Sequence, residues 1–133
     1  MSFLFRSRIR HPFFRGLAAA PAANARGCST ALAGAFSELV RAAARGARAR
    51  RAVYVLTRDG EFLSDGERDE LWRLFQVPVY ALMVRHGRAV AWECEAQNGM
   101  HVASGEAAST CACACGRPGP VLTAAGRMAN AAD

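Results

Sequence analysis

Four residues whose side chains bind metal ions lie in the C-terminal third of the sequence: Cys94, His101, Cys113 and Cys115. Zinc takes four ligands in a tetrahedron and accepts thiolates and imidazoles. A strand end can supply Cys94 and the following loop His101, and Gly116 frees the backbone to turn around an ion after Cys115. We therefore predict a structural zinc site that holds the C-terminal segment against the strands.

Other interpretations of the same residues stay open. Cys111 is a spare cysteine or an alternative ligand, because the spacing matches no strict pair of CxxC motifs. Cys94 could instead be a small buried hydrophobe and His101 a loop histidine, with the Cys-Ala repeat as low-complexity sequence. A redox pair is less favoured, because Cys-x-Cys is a tighter loop than Cys-x-x-Cys and no helix N-terminus adjoins it.

No catalytic residue is predicted. Glu93 and Glu95 share one strand face, which favours a solvated edge over an acid–base pair. The chain contains no lysine, so Schiff-base chemistry is excluded within it. The five cysteines are an odd number, which does not suit a closed disulfide framework and favours a reduced, cytoplasmic protein.

Length and charge set the class of protein. A chain of 133 residues suits one small domain. Its net charge of +6 comes from arginine alone, in a chain also rich in alanine and glycine. This composition is typical of GC-rich coding, so it weakens the argument from arginine content to nucleic-acid binding. A basic module for nucleic acids or membrane surfaces remains an alternative function.

Residues 1–29 differ from the rest, because they contain arginines and aromatic residues but no acidic residue. This composition predicts a disordered leader. It is also typical of an organelle-targeting peptide or of a segment that contacts a membrane surface, in which case the protein would be targeted to an organelle.

The remaining pattern predicts an α/β or α+β domain over residues 30–122, with a frayed tail over 123–133. Apolar residues recur at helical spacing over residues 30–51, with Ser29 or Thr30 as the cap. A second helix follows Ser64, which forms a capping box with Glu67. About three strands are expected, at residues 52–57, 77–84 and 89–96, and Gly87 marks the turn between the last two.

Six short segments occur in a definite order between residues 51 and 122. They are Gly60-Glu61, Leu63-Ser64, Phe75, Val77-Pro78-Val79-Tyr80, Glu93-Cys94 and Gly99-Met100-His101-Val102. This order resembles the middle of the phenylacetate–CoA ligase branch of the adenylate-forming enzymes. The resemblance implies common descent and a shared partial fold. The cysteine-glycine stretch after residue 111 also looks like segments in some of these ligases.

The ligase motifs that bind ATP are missing from the chain. The Ser/Thr/Gly-rich phosphate loop is absent, and ALMVRHGR follows Tyr80 where the family has Tyr-Gly-x-Thr-Glu. No lysine is present to act as the catalytic lysine, so no ATP binding is expected. The favoured hypothesis is a non-catalytic, ligase-derived protein with a structural zinc site, as a degenerate fragment or the partner of a larger ligase subunit. The alternative is a component of an AMP-forming acyl- or aryl-CoA ligase that acts with another chain.

Overall fold

The computed structural model describes residues 10–14, 17–58, 61–97 and 100–103, with Cys113, Cys115, Arg117 and the backbone of residues 121–122. These residues form one seven-stranded sheet and two α-helices. The strands are β1 (Ala20–Pro21), β2 (Cys28–Gly34), β3 (Arg48–Thr57), β4 (Val79–Arg85), β5 (Arg88–Glu93), β6 (Met100–Val102) and β7 (Val121–Leu122). The helices are α1 (Phe36–Ala44) and α2 (Asp65–Phe75). The α/β class is confirmed, and the predicted count of about three strands is too low.

The strands lie in the sheet in chain order. Neighbouring strands from β1 to β4 pair in parallel, and neighbouring strands from β4 to β7 pair antiparallel. Helix α1 connects β2 to β3 and α2 connects β3 to β4, so both crossovers join neighbouring strands and advance in the same direction. Both helices therefore cover the same face of the sheet, where Leu39 and Leu71 share a core with Val53. Among the residues that the structure describes, neither helix has the length and apolar character needed to cross a bilayer.

The opposite face of the sheet is covered by the N-terminal segment. Phe13, Phe14 and Leu17 pack against a core that includes Tyr54 and Trp92. The Tyr54 hydroxyl donates a hydrogen bond to the backbone oxygen of Leu17 at 3.2 Å. Residues 11–14 and 17–29 thus belong to the folded unit, and the boundary expected at residue 30 falls inside β2. Residues 1–9 and the predicted tail at 123–133 lie outside the described residues.

The single helix predicted over residues 30–51 is wrong. Thr30 and Leu32 lie in β2, the helix begins only at Phe36, and Arg48 and Arg51 lie in β3. Alanine and leucine have high helix propensity, which favours a helix locally. A strand that is buried on both faces is stabilised by tertiary packing, and this packing overrides the local propensity. Small residues suit β2, because a Cβ atom added at Gly34 would lie only 2.9 Å from the Cβ of Ala22.

The second helix and the hairpin agree with their predictions. The Ser64 hydroxyl accepts a hydrogen bond from the Glu67 amide at 3.1 Å, and the Glu67 carboxylate accepts from the Ser64 amide at 3.1 Å. His86 and Gly87 both have positive φ (53° and 76°), as a two-residue turn of type I′ requires between antiparallel strands. Trp72 on the same helix is 50% exposed.

Candidate metal centre

The hairpin of β5 and β6 positions the first two predicted ligands. Trp92 pairs with His101 across these strands, so His101 lies within β6 and not in the loop that we expected. Cys94 follows the last residue of β5. The Gln97 amide donates to the Cys94 carbonyl at 3.0 Å, and Gln97 adopts a left-handed φ of 54°. This tight turn reverses the chain and brings both side chains to one end of the hairpin.

The four predicted ligands lie together. The ligand atoms of Cys94, His101, Cys113 and Cys115 are all within 4.8 Å of one another, and we call this group the Cys3His cluster. The Cys94 and Cys113 sulfur atoms are 3.5 Å apart, and the Cys115 sulfur lies 3.4 Å from Nε2 of His101. In a tetrahedral zinc site the corresponding separations are about 3.8 Å and about 3.5 Å. The cluster can therefore hold a metal ion with little rearrangement. Cys111, the alternative ligand, lies outside the described residues.

Three members of the cluster are shielded from water. Cys94 is fully buried, His101 is 3% exposed and Cys113 is also buried, whereas Cys115 is half-buried. The cysteines are free thiols and not disulfides. An ion at this position would be surrounded by protein side chains, because each of the four residues supplies one ligand atom.

Burial controls the protonation of the cluster. It raises the pKa of the Cys94 thiol to about 11, although the Ala96 amide donates to its sulfur at 3.4 Å and partly offsets this effect. Burial also lowers the pKa of His101, and nearby Arg117 acts in the same direction, so the imidazole is neutral and able to bind a metal. At Cys115, burial opposes the thiolate, but hydrogen bonds, led by that from the Arg117 amide, outweigh it and lower the pKa.

Residues of the N-terminal segment cover the cluster. The Phe13 ring packs edge-on against the His101 ring, with 4.7 Å between centroids, and also contacts the cluster around Cys94. The Arg117 guanidinium lies 4.5 Å from the centre of the Phe13 ring and forms an ion pair with Glu95. Phe13 and Arg117 are not among the residues that the sequence predicts at this site. The basic surroundings of Phe13 predict a leader, although its adjacent aromatic pair with Phe14 could indicate a packed segment.

His11 fixes the end of β5 from the same segment. It is fully buried, its Nδ1 accepts a hydrogen bond from the Phe13 amide at 3.0 Å, and its Nε2 contacts the Glu93 carbonyl oxygen. Because Nδ1 is an acceptor, Nε2 holds the proton and donates to Glu93. Burial lowers the pKa of His11 to about 4, which keeps the ring neutral.

Glu93 is not on a solvated edge, and that prediction is wrong. Its side chain is buried, its Oε2 accepts from Arg68 at 2.7 Å, and its Oε1 accepts from the Ala81 amide at 2.7 Å. Arg68 also donates to the carbonyl oxygen of Val79 at 2.9 Å. The carboxylate therefore joins β5 to α2 and β4, just before the turn that supports Cys94. Its neighbour Glu95 is exposed, as expected for the other member of the pair.

Comparison with known proteins gives no family for this chain. No protein-family profile matches the sequence, and no curated protein matches it.

Proposed function

We propose that this chain is a small α/β module stabilised by a structural zinc ion, with no catalytic role of its own. The observation that supports this best is the mutual approach of the four ligand atoms in the Cys3His cluster, within 4.8 Å. The ligands come from the end of β5, from β6 and from the segment at 113–115, so one ion would connect parts of the chain that are distant in sequence.

The ligand types favour zinc over harder cations. Three thiolates and one imidazole form a soft donor set, and Mg²⁺ and Ca²⁺ prefer oxygen. Structural zinc sites use four protein ligands, whereas catalytic sites keep one position open for water or substrate. The four side chains supply four ligand atoms, the number that a structural site uses, so we infer a structural role. A reduced compartment such as the cytoplasm would keep the thiols available for the ion.

The ion would compensate for a small core in this part of the molecule. Cys94 and Cys113 form their own buried cluster, separate from the larger cores on the two faces of the sheet. Strand β6 has only three residues and β7 only two. Short strands at a sheet edge bury little apolar area, so zinc binding would supply much of the free energy that orders this edge.

We also propose descent from the phenylacetate–CoA ligase branch of the adenylate-forming enzymes. Two of the segments that resemble this family, Glu93-Cys94 and Gly99-Met100-His101-Val102, contain half of the Cys3His cluster. On this proposal the chain kept the metal-binding part of the fold without the ATP-binding motifs. ATP–pyrophosphate exchange with aryl acids should then be absent for the chain alone, and measurable exchange would overturn the non-catalytic assignment.

Chelation tests the zinc proposal directly. A strong chelator should lower the melting temperature of the protein purified under reducing conditions by roughly 8 °C or more, equivalent to about 2 kcal/mol. Cys113→Ser should lower it similarly and abolish the chelator effect, because a three-ligand site loses most of its affinity. Cys28→Ser is the matched control, because Cys28 is exposed and lies outside the cluster. Melting that is insensitive to chelator in the zinc-supplemented wild type would refute the proposal.

A further inference from the structure

A cleft of about 350 Å³ lies between α2 and the start of β4. Asp69 and Trp72 line it from α2, Pro78 and Tyr80 line it from β4 and the residue before it, and Glu95 lines it from the turn after β5. This volume lies at the small end of the range for sites that bind small molecules.

The Trp72 ring forms one wall of the cleft and is not part of the buried core. Its side chain is 50% exposed, while Leu71 and Phe75 of the same helix are buried in the core. Leaving an indole in water forgoes the stabilisation that its burial would give. An exposed tryptophan beside Pro78 in a concave surface is typical of a ligand-binding wall.

The charges in the cleft leave one carboxylate uncompensated. Arg68 is neutralised by Glu93 at 2.7 Å, and Glu95 is paired with Arg117. Across the part of the chain that the structure describes, Asp69 has no ion pair or hydrogen bond from its side chain. Asp69 and Trp72 are three residues apart on α2, so their side chains are neighbours on the same helix surface. An aromatic face next to a free carboxylate attracts cations and repels anions.

We propose that this cleft binds an organic cation, an alkylammonium or guanidinium group, between the ring of Trp72 and the carboxylate of Asp69. A cation over an indole face is stabilised by the ring quadrupole, and the carboxylate adds a Coulomb attraction. The group could belong to a small amine or to a lysine or arginine side chain of a peptide. The proposal goes beyond the zinc module and does not depend on it, because Asp69 and Trp72 belong to α2.

A pair of isosteric probes separates charge recognition from simple apolar contact. Choline and 3,3-dimethylbutan-1-ol have the same shape, but only choline is charged. Each is titrated into the ¹⁵N-labelled, zinc-supplemented protein while the two indole N–H signals are followed by NMR. We expect choline to shift the signal of Trp72 with millimolar affinity, to leave that of the buried Trp92 unchanged, and to bind at least about fivefold more tightly than the alcohol. Equal binding of the two probes, or no saturable shift, would overturn the proposal.

Variants test the two residues separately. Asp69→Asn should weaken choline binding by roughly threefold to tenfold at low salt, whereas Asp65→Asn, an exposed acid outside the cleft, should not. Trp72→Leu, followed through backbone amide signals of residues 68–80, should weaken it about fivefold. Unchanged affinity in Asp69→Asn and Trp72→Leu would refute the assignment.

The source of the cation is resolved by two further probes, N-acetyl-lysine methylamide and N-acetyl-arginine methylamide. Tighter binding of either amide than of choline would support a peptide side chain as the ligand. Tighter binding of choline would support a free amine. If neither amide nor choline binds, the proposal fails.

Discussion

Replacement of Glu93 by alanine should be one of the most damaging changes to a charged residue in this fold. The side chain is 8% exposed and accepts hydrogen bonds from Arg68 and from the Ala81 amide, both at 2.7 Å. The substitution leaves two donors without their acceptor. One of them is the guanidinium of Arg68, whose side chain is only 23% exposed.

The magnitude follows from these contacts. An unsatisfied buried backbone amide costs about 1–3 kcal/mol, and removal of one partner of a buried ion pair costs about 3–5 kcal/mol. The partial exposure of Arg68 and its remaining bond to the Val79 carbonyl reduce the second value. We therefore expect Glu93→Ala to lower the free energy of unfolding by about 3 kcal/mol, which is a large part of the 5–15 kcal/mol typical of a domain.

Urea denaturation of zinc-supplemented protein measures this loss, with Glu70→Ala as the control. Glu70 forms an exposed ion pair with Arg73 on the same helix at 2.6 Å, and its removal should cost only about 0.5 kcal/mol. The contrast between the two variants isolates the effect of burial. If Glu93→Ala costs no more than Glu70→Ala, the buried network does not stabilise the fold as described.

Two further predictions concern the N-terminal half. The contribution of His11 to stability should fall as the pH drops below 6.5 and level off below about 4, a loss of about 3 kcal/mol, because unfolding lets this buried imidazole take up a proton. His11→Gln should remove this part of the pH dependence in denaturation curves; an unchanged curve would show that His11 is not buried neutral. Gly34→Ala should cost about 1–3 kcal/mol in the same assay, because the new Cβ would meet Ala22 at 2.9 Å, whereas Gly66→Ala on α2 meets nothing and should not destabilise. Equal stability of the two glycine variants would contradict the close packing of β2.

Local chemistry explains which elements could be predicted from the sequence. The capping box of Ser64 and Glu67 and the turn at Gly87 depend on residues that are close together in the chain, and both predictions are confirmed. The predicted ligand residues also come together, because a strand, a turn and a cysteine-rich segment restrict where Cys94 and Cys113 can lie. Donor type and the glycine after Cys115 indicate these residues, although their spacing matches no strict pair of CxxC motifs.

Long-range packing explains what could not be predicted. Strand β2 has an alanine-rich sequence that looks helical, and only the layers on its two faces make it a strand. Glu93 looked solvated because its partner Arg68 is 25 residues away in the sequence. Phe13 looked like part of a leader because its partner His101 is far away in the sequence. Apart from the adjacent aromatic pair of Phe13 and Phe14, none of these contacts leaves a local pattern.

Metal analysis combined with cobalt substitution tests the central claim most directly. The protein is purified under reducing conditions without added chelator, and its zinc content is measured per chain. The metal-free protein is then titrated with Co²⁺. The account predicts about one zinc per chain, and visible absorption bands of tetrahedral, thiolate-bound cobalt that weaken when Cys113 or Cys115 is replaced by serine but not when Cys28 is. Metal-free protein that shows no tetrahedral cobalt spectrum and gains no stability from zinc would contradict it.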